Sequence, residues 1–308
     1  MCSSDLAWIH LDQIVVKSNR ERLSAFADLA ASSTVGGFDA FAKMTYEYQA
    51  MSDPGEAIVD FDGVTQGRTD GPLFNLSSVP LAIIHSDFWT TARQLAVSGN
   101  TSNPYDQVMV EAASRRVGEK VEDITIGIAD TITYGTETAG YGTHTGTSSM
   151  WGYTNFPYRL TKTDLTTPTG SNPDAILSDV LEMIDTMETN KFYGPYMLYM
   201  TTGYSRYLRD DYFRSGSTSA VRSMKERLMA LGDIVDIRRL DRFTSGYQMI
   251  MVNMDSETAQ AIDGMPPTTL MWETVGGQKI NWKVMAIQGP LLKKKYNGTS
   301  GVLHATTS

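Results

Sequence analysis

The stretch NPYDQVMVEAASRRVGEKVEDITIGI, residues 103–128, settles how the rest of the chain is read. Tyr105, Val108, Met109, Ala112, Ala113, Val117, Val121 and Ile124 recur at spacings of three and four. That is the stripe by which a helix buries one face. Asn103 before Pro104 supplies an N-cap with proline at the first helical position. Arg115, Arg116, Glu119, Lys120 and Glu122 occupy the other faces, and Gly118 interrupts the helix at modest cost. At ~1.5 Å per residue, a helix over 103–126 is about 36 Å long, which is long for a chain of 308 residues.

Upstream, AKMTYEYQAMSDPGEAIVDFD (42–62) alternates apolar and polar residues at Ala57, Val59 and Phe61, with a turn signature at Asp53, Pro54 and Gly55. The turn-rich VTQGRTDGPLFN (64–75) and the short run VPLAII (79–84) follow. Two alternating arms with turns between them predict a long β-hairpin, polar enough to project from the core. The first thirty residues are polar with scattered apolar positions, a short helix or an arm. Downstream, residues 131–159 are rich in glycine and threonine. A second helix is expected over 174–190 after Asn172 and Pro173, with Ile176, Leu177, Val180, Leu181, Ile184 and Met187 as its stripe. YMLYM (196–200) reads as a buried strand. A third helix is expected over 219–231, stopped by Gly232. Strands are expected at IVDIRRL (234–240) and QMIMVNM (248–254). TTLMWETVGG (268–277) turns back into QKINWKVMAIQGPLL (278–292), where Ile280, Trp282, Val284 and Ala286 alternate with polar and apolar neighbours. Helices and strands mix without a βαβ rhythm, so the class is α+β.

The composition excludes several chemistries. A net charge of −9 argues against a surface built to grip a polyanion, although the strip Lys293, Lys294 and Lys295 is locally basic. One cysteine, Cys2, leaves no disulfide framework within the chain. The first residues lack the basic start and apolar core of a signal peptide, and no window offers the ~18 apolar residues that span a bilayer, so a cytosolic protein is expected. The glycine-rich stretch holds neither GxxxxGK[ST] nor GxGxxG; Gly140, Gly142 and Gly146 stand outside any βαβ unit. His10, His85, His144 and His304 are scattered singly, so no metal and no cofactor is expected. GxSxG does not occur. The acidic pairs Asp210–Asp211 and Glu122–Asp123 are expected to face solvent rather than to act as an acid and base. Nothing here points to an enzyme. Tyr193, Tyr196, Tyr199, Tyr204, Tyr207, Tyr212 and Phe213 form either an inter-subunit surface or an ordinary core strand. The 17 methionines suit core filling first and adaptable interfaces second.

The order of elements carries a resemblance. A polar arm, a projecting hairpin, a long helix, a compact helix–strand unit and a β-rich tail follow one another. Four stretches support it: VPLAIIHSDFWTTARQLAVSG (79–99), the long helix at 103–128, WGYTNFPYR (151–159) with its GxxNxP return, and YGPYMLYMTTGYSRYLRDDY (193–212). Over residues 22–292 the chain resembles the Hong Kong 97-type shell fold of tailed-phage major capsid proteins and encapsulins. The glycine-rich stretch is then framework.

The resemblance implies an N-terminal arm (1–21), a peripheral domain with a spine helix (22–43, 79–170 and 255–308), an extended loop (44–78) and an axial domain (171–254). Asp210, Asp211 and Arg214 would lie at the axial pore. The extended loop carries Glu47, Asp53, Glu56, Asp60, Asp62 and Asp70 against Arg68. It is expected to lie on a basic patch of the adjacent subunit. No lysine occurs between 44 and 78, Lys43 standing only at the base, so no covalent cross-linking through that loop is expected. The implied partners are copies of the chain itself, as pentamers and hexamers, and a separate scaffold, portal or decoration protein. Double-stranded DNA would be enclosed but not read by sequence, with no membrane involved, in a virion assembled in the host cytoplasm. The alternative is an encapsulin that loads an enzyme, with Trp8, Ile9, Leu11 and Ile14 near its cargo groove. A weaker one is an α+β enzyme or lectin-like domain.

Overall fold

An amphipathic stripe needs a surface to bury against, and the spine helix finds it in a sheet. The computed structural model describes residues 22–53, 57–62, 71–98, 105–128, 150–169, 174–209, 222–243 and 246–307, with short strand segments at 132–133, 138–139, 142–143, 147–148 and 211–212. Its helices are α1 (Ala25–Ser32), α2 (Ala92–Ser98), α3 (Tyr105–Ile126), α4 (Asp174–Thr189) and α5 (Met224–Met229). Ala113, Val117, Val121 and Ile124 of α3 pack on Ile84, Val284 and Ala286. The first half of the stripe is less covered, for Val108 and Met109 are half-buried and Ala112 is exposed. The expected caps at Asn103 and Asn172 lie outside the described residues.

The sheet under α3 has four strands in the order Thr34–Val35, Ala259–Thr274, Lys279–Leu292 and Ile84–Thr91. Along 280–284 Ile280 and Val284 are buried, while Asn281, Trp282 and Lys283 are half-buried. Beyond Val284, Met285 and Ile287 are buried as well, because the chain around Ala40 crosses the opposite face beside Gly264 and Ile287.

A second sheet orders Ile234–Arg239, Tyr196–Met200, Gln248–Asn253, Val302–Thr306 and Leu160–Lys162. It is buried on both faces, which explains the unbroken apolar runs. Tyr196, Leu198, Met200, Met249 and Met251 face α4 and α5. Met197, Tyr199, Ile250, Val252 and Val302 face α1 and the 150s segment. The strands at 160–162 and 302–306 lie outside 171–254, so this unit draws on three segments of the chain.

Three sequence expectations are corrected. Residues 57–62 form no strand; the hairpin pairs Thr45–Met51 with Phe74–Pro80 instead. The third helix begins at Met224, not near 219, because Arg222 and Ser223 pair with 211–212 and the Ser223 hydroxyl then accepts the Glu226 N–H at 3.3 Å as N-cap. On α4, Leu181 is exposed, whereas Met183 and Asp179 are buried. The Asp179 carboxylate accepts the Thr166 N–H at 2.9 Å and thereby ties the 160s segment to α4. The glycine-rich stretch forms two antiparallel pairings, 132–133 with 147–148 and 138–139 with 142–143.

Polar contacts tie the end of the Ile234–Arg239 strand and the turn after it to α1, α3 and the segment before α1. Arg22 grips Asp241 through Nε and Nη2, both at 2.9 Å, and Arg239 reaches the same carboxylate at 3.1 Å. Arg242 donates to Asp123 at 2.8 Å, and Arg238 meets Asp28 at 3.2 Å. Burial pushes the Asp28 carboxyl above its ordinary range, whereas hydrogen bonds from Arg22 hold Asp241 down at about 2. A depressed carboxylate stabilises the fold above its unfolded value and loses that contribution as pH falls through the folded one. An Asp241→Asn variant should therefore be less stable than the parent by about 1 kcal/mol above pH ~5, given solvent screening of the exposed Arg22. That gap should close as pH falls from about 4 towards 2. Urea unfolding at stepped pH measures it, and a gap that stays constant to pH 2 would contradict the pairing.

Candidate assembly surface

The hairpin packs on the body at its base, and its first strand borders a groove with the body as far as Asp53. Tyr46, Tyr48 and Val79 pack with Val35, Phe38, Ile262 and Leu291, and the Tyr48 hydroxyl accepts the Lys294 N–H at 3.2 Å. From there the strands run in register from Thr45↔Pro80 to Met51↔Phe74. Glu47, Asp53, Asp60 and Asp62 are exposed on it, as the sequence suggests, while Glu56, Arg68 and Asp70 lie outside the described residues. Sequence reasoning stressed these acids and placed the apolar Val59 and Phe61 in a strand, which they do not form. Met51, Ile58, Leu73, Phe74 and Leu76 are more than half exposed, and Val59 and Phe61 stand at 99% and 106%. The signal was present in IVDFD (58–62), where apolar and acidic residues alternate.

A second group of exposed apolar side chains lies at the far end of the four-stranded sheet. Trp89, Leu270, Met271, Trp272 and Val275 are each more than 40% exposed. Trp272, Asn281 and Trp89 align across three strands, and Leu270, Lys283 and Asp87 align two residues further along. With a period of two, both rows face the same side. The row between them, Met271, Trp282 and Phe88, shares a side with Val284, which packs against α3, so Trp89, Trp272 and Leu270 face away from the spine helix. The Lys279 ammonium sits over the Trp89 ring at 4.6 Å.

The basic strip is held in place rather than loose. Lys293 donates to Ser256 O and Lys295 to Lys191 O, each at 2.8 Å. Lys294 and Lys295 lie over the Tyr158 and Phe192 rings at 4.1 and 3.8 Å. Burial lowers the Lys293 ammonium. These lysines border a groove of about 920 Å³ between the hairpin base and the 191–194 turn, which Asp53, Asp255 and Glu257 also line. The groove is mixed in charge.

Of the expected pore residues, Asp210 and Arg214 lie outside the described residues, and Asp211 belongs to a two-residue strand paired with 222–223. Of the tyrosine cluster, Tyr196, Tyr199 and Tyr204 are fully buried, Tyr207 is half-buried and Tyr193 is exposed, while the Tyr212 side chain and Phe213 lie outside the described residues. The carboxylate pair at 122–123 does not face solvent. Glu122 is buried and accepts the N–H groups of Ser24, Ala25 and Phe26 at 2.9, 2.8 and 3.0 Å, and Asp123 pairs with Arg242. Half-buried His304 bonds to Gln248 at 2.8 Å and is lowered to about 4 by desolvation, while His85 lies exposed beside Asp87. Among the described residues no group of acidic, histidine and cysteine side chains is arranged to hold a metal, and no helix is long and apolar enough to cross a membrane.

Comparison with known proteins agrees with this geometry. No curated protein matches the chain. Among solved structures it is similar to the capsid of Myoviridae phage XM1, with a TM-score of 0.71 at 12% identity over 99% of this chain and 98% of the other. The capsid of a native GTA particle gives 0.61 at 8% over 99% and 97%. A virus-like particle from Pyrococcus furiosus gives 0.56 at 11% over 92% and 96%. The fold is α+β and of the Hong Kong 97 type. A profile of a family of unknown function, DUF6260, matches residues 2–305, and the chain belongs to that family.

Proposed function

We propose that this chain is the major capsid protein of a tailed phage, self-assembling into an icosahedral shell that encloses double-stranded DNA. The observation that carries this reading is the similarity to the phage XM1 capsid over nearly the whole of both chains. A projecting hairpin with a fully exposed apolar tip supports it, since such a tip is costly in a monomer and useful in an assembly. Each subunit of a closed shell meets several neighbours, so modest contacts multiply into a stable particle. In this reading residues 44–78 are the extended loop, the α3 sheet is the peripheral domain and the five-stranded unit is the axial domain. Asp210, Asp211 and Arg214 then border the axial opening, and residues 1–21 form the arm. The work is structural, the partners are copies of the chain, and the place is the virion.

Expression of the chain followed by negative-stain microscopy tests this. Uniform closed shells are the expected product, and a monodisperse small oligomer under all assembly conditions would count against it. Denaturing gels of those shells should show monomers only, because 44–78 contains no lysine; a ladder would contradict that. An encapsulin-like compartment shares the fold, and the likeness to the Pyrococcus furiosus particle favours it as the second reading. Particles from the natural source separate the two: DNA inside supports the capsid, an enzyme inside the compartment.

A further inference from the structure

Where the hairpin leaves the body its base does not seat flush, and a cavity of about 200 Å³ remains between the two. Tyr48 and Val79 line it from the hairpin, and Ser77, which stands opposite Tyr48 in the ladder, shares their face. Trp151, Phe156 and Tyr158 of the GxxNxP return line it from the body, together with the buried Pro290 and Leu292. We propose that this cavity binds a small aromatic carboxylate, one ring or two fused rings bearing a single acid group, and that the bound molecule clamps the hairpin base to the body.

Size, lining and charge each narrow the ligand. A cavity of roughly 150 Å³ holds benzene, so this one suits one ring or a fused pair and excludes anything much larger. Tyr48, Trp151, Phe156 and Tyr158 surround it with aromatic faces and edges, against which another ring packs better than an aliphatic chain does. Phe156 and Tyr158 already meet edge to face with centroids 5.6 Å apart. The charged group of the lining is Lys294. Its ammonium lies over the Tyr158 ring at 4.1 Å and, among the described residues, has no carboxylate partner. Its main-chain N–H is fixed by the Tyr48 hydroxyl. A cation without a counter-ion beside an aromatic box selects an anion carried on a ring, and the hydroxyls of Ser77 and Ser78 offer further donors. The larger groove next to it lacks this selectivity, since Lys293 and Lys295 there are held by main-chain oxygens and acids share the lining. One molecule in the cavity touches both hairpin and body, and so fixes the angle at which the hairpin leaves. Control of assembly by such a molecule rests on the shell reading; the binding itself does not.

Calorimetry on the unassembled full-length chain tests the site, with indole-3-carboxylate as probe and indole as its uncharged control. Saturable one-to-one binding of the acid with a Kd below about 1 mM is expected, and no saturation by about 5 mM overturns the site. Ser77→Phe places a ring in the cavity from the hairpin side and should abolish binding; heat equal to the parent's from a folded Ser77→Phe chain would put the acid elsewhere and end the proposal. Lys294→Met keeps the stem without the charge, so it decides the chemistry even if Ser77→Phe does not fold. It should weaken the acid about tenfold and leave indole within about twofold. Equal losses for both would overturn the assigned ligand class. Hydrogen exchange of the 45–51 amides should slow when the acid is bound, and unchanged exchange would refute the clamp. None of these readouts depends on whether shells form, so failure here and failure of the shell reading are separate results.

Discussion

Replacing Glu122 by alanine is expected to lower the stability of the unassembled chain by about 3–5 kcal/mol, a large part of what a folded domain possesses. The carboxylate is buried on the spine helix and accepts the first three N–H groups of the α1 region, from Ser24, Ala25 and Phe26, at 2.8–3.0 Å. A helix N-terminus carries donors without internal partners and a partial positive charge. Here one distant carboxylate satisfies three of them, while Ser24, the residue at the N-cap, makes no side-chain cap bond of its own. Removal of the carboxylate strands three donors out of water, at about 1–3 kcal/mol each before relaxation. Glu122→Gln should fall between parent and alanine, because its amide nitrogen has no lone pair for the Phe26 N–H. Glu119→Ala is the control: its i,i+4 pair with Arg115 is partly exposed and should cost no more than about 0.5 kcal/mol. Urea midpoints decide the matter. If Glu122→Ala and Glu119→Ala behave alike, the carboxylate does not anchor α1.

This contact also marks where sequence reading stopped. The α3 stripe and the YMLYM strand were legible because each is a local periodicity, and burial on one or two faces follows directly from it; the hairpin was expected from an alternation at 57–61 that forms no strand, its arms being 45–51 and 74–80. Glu122 was not, because nothing local distinguishes an acid that faces solvent from one that meets a helix end 98 residues away. The same limit applies to the exposed apolar face at the far end of the four-stranded sheet. Trp89 and Trp272 lie far apart in sequence and share one row, with Asn281 between them, only through the register that joins three strands. Charge was legible on the extended loop, and exposure was not, so the acids at Glu47, Asp53 and Asp60 stood out while Phe61 passed as an ordinary strand residue. The start of the third helix was misplaced for a related reason. Arg222 and Ser223 join a short strand pair, a tertiary demand that overrides local helix propensity.

Gly152 offers the severest test of the fold, at a motif that the sequence did reveal. In WGYTNFPYR the glycine opens the GxxNxP return, and the structure shows why no other residue fits. A Cβ placed there would lie 2.2 Å from Ile124 O, 2.5 Å from Gly127 N and 2.7 Å from Gly127 Cα. These are main-chain atoms at the end of the spine helix, so no side-chain rotation relieves the overlap. The close approach lets the N–H groups of Tyr153 and Thr154 reach Thr125 O and Ile126 O, each at 2.9 Å, satisfying carbonyls that the helix end leaves open. The Asn155 side chain closes the turn by accepting the Gly152 N–H at 2.6 Å. Tyr153, fully buried, then stacks on Tyr199 of the five-stranded sheet with ring centroids 5.8 Å apart. Gly152→Ala must push this segment off the helix, losing both main-chain bonds and the packing of Tyr153. The expected cost exceeds about 4 kcal/mol, with a fall in melting temperature of roughly 10 °C or more and no shells at the parent's assembly concentration. Gly71→Ala, where a Cβ meets nothing within 4 Å, should melt within about 2 °C of the parent. A Gly152→Ala chain that melts as high as Gly71→Ala would show that the return does not rest on the helix end, and with it would fall the account of how the spine helix is joined to the five-stranded sheet.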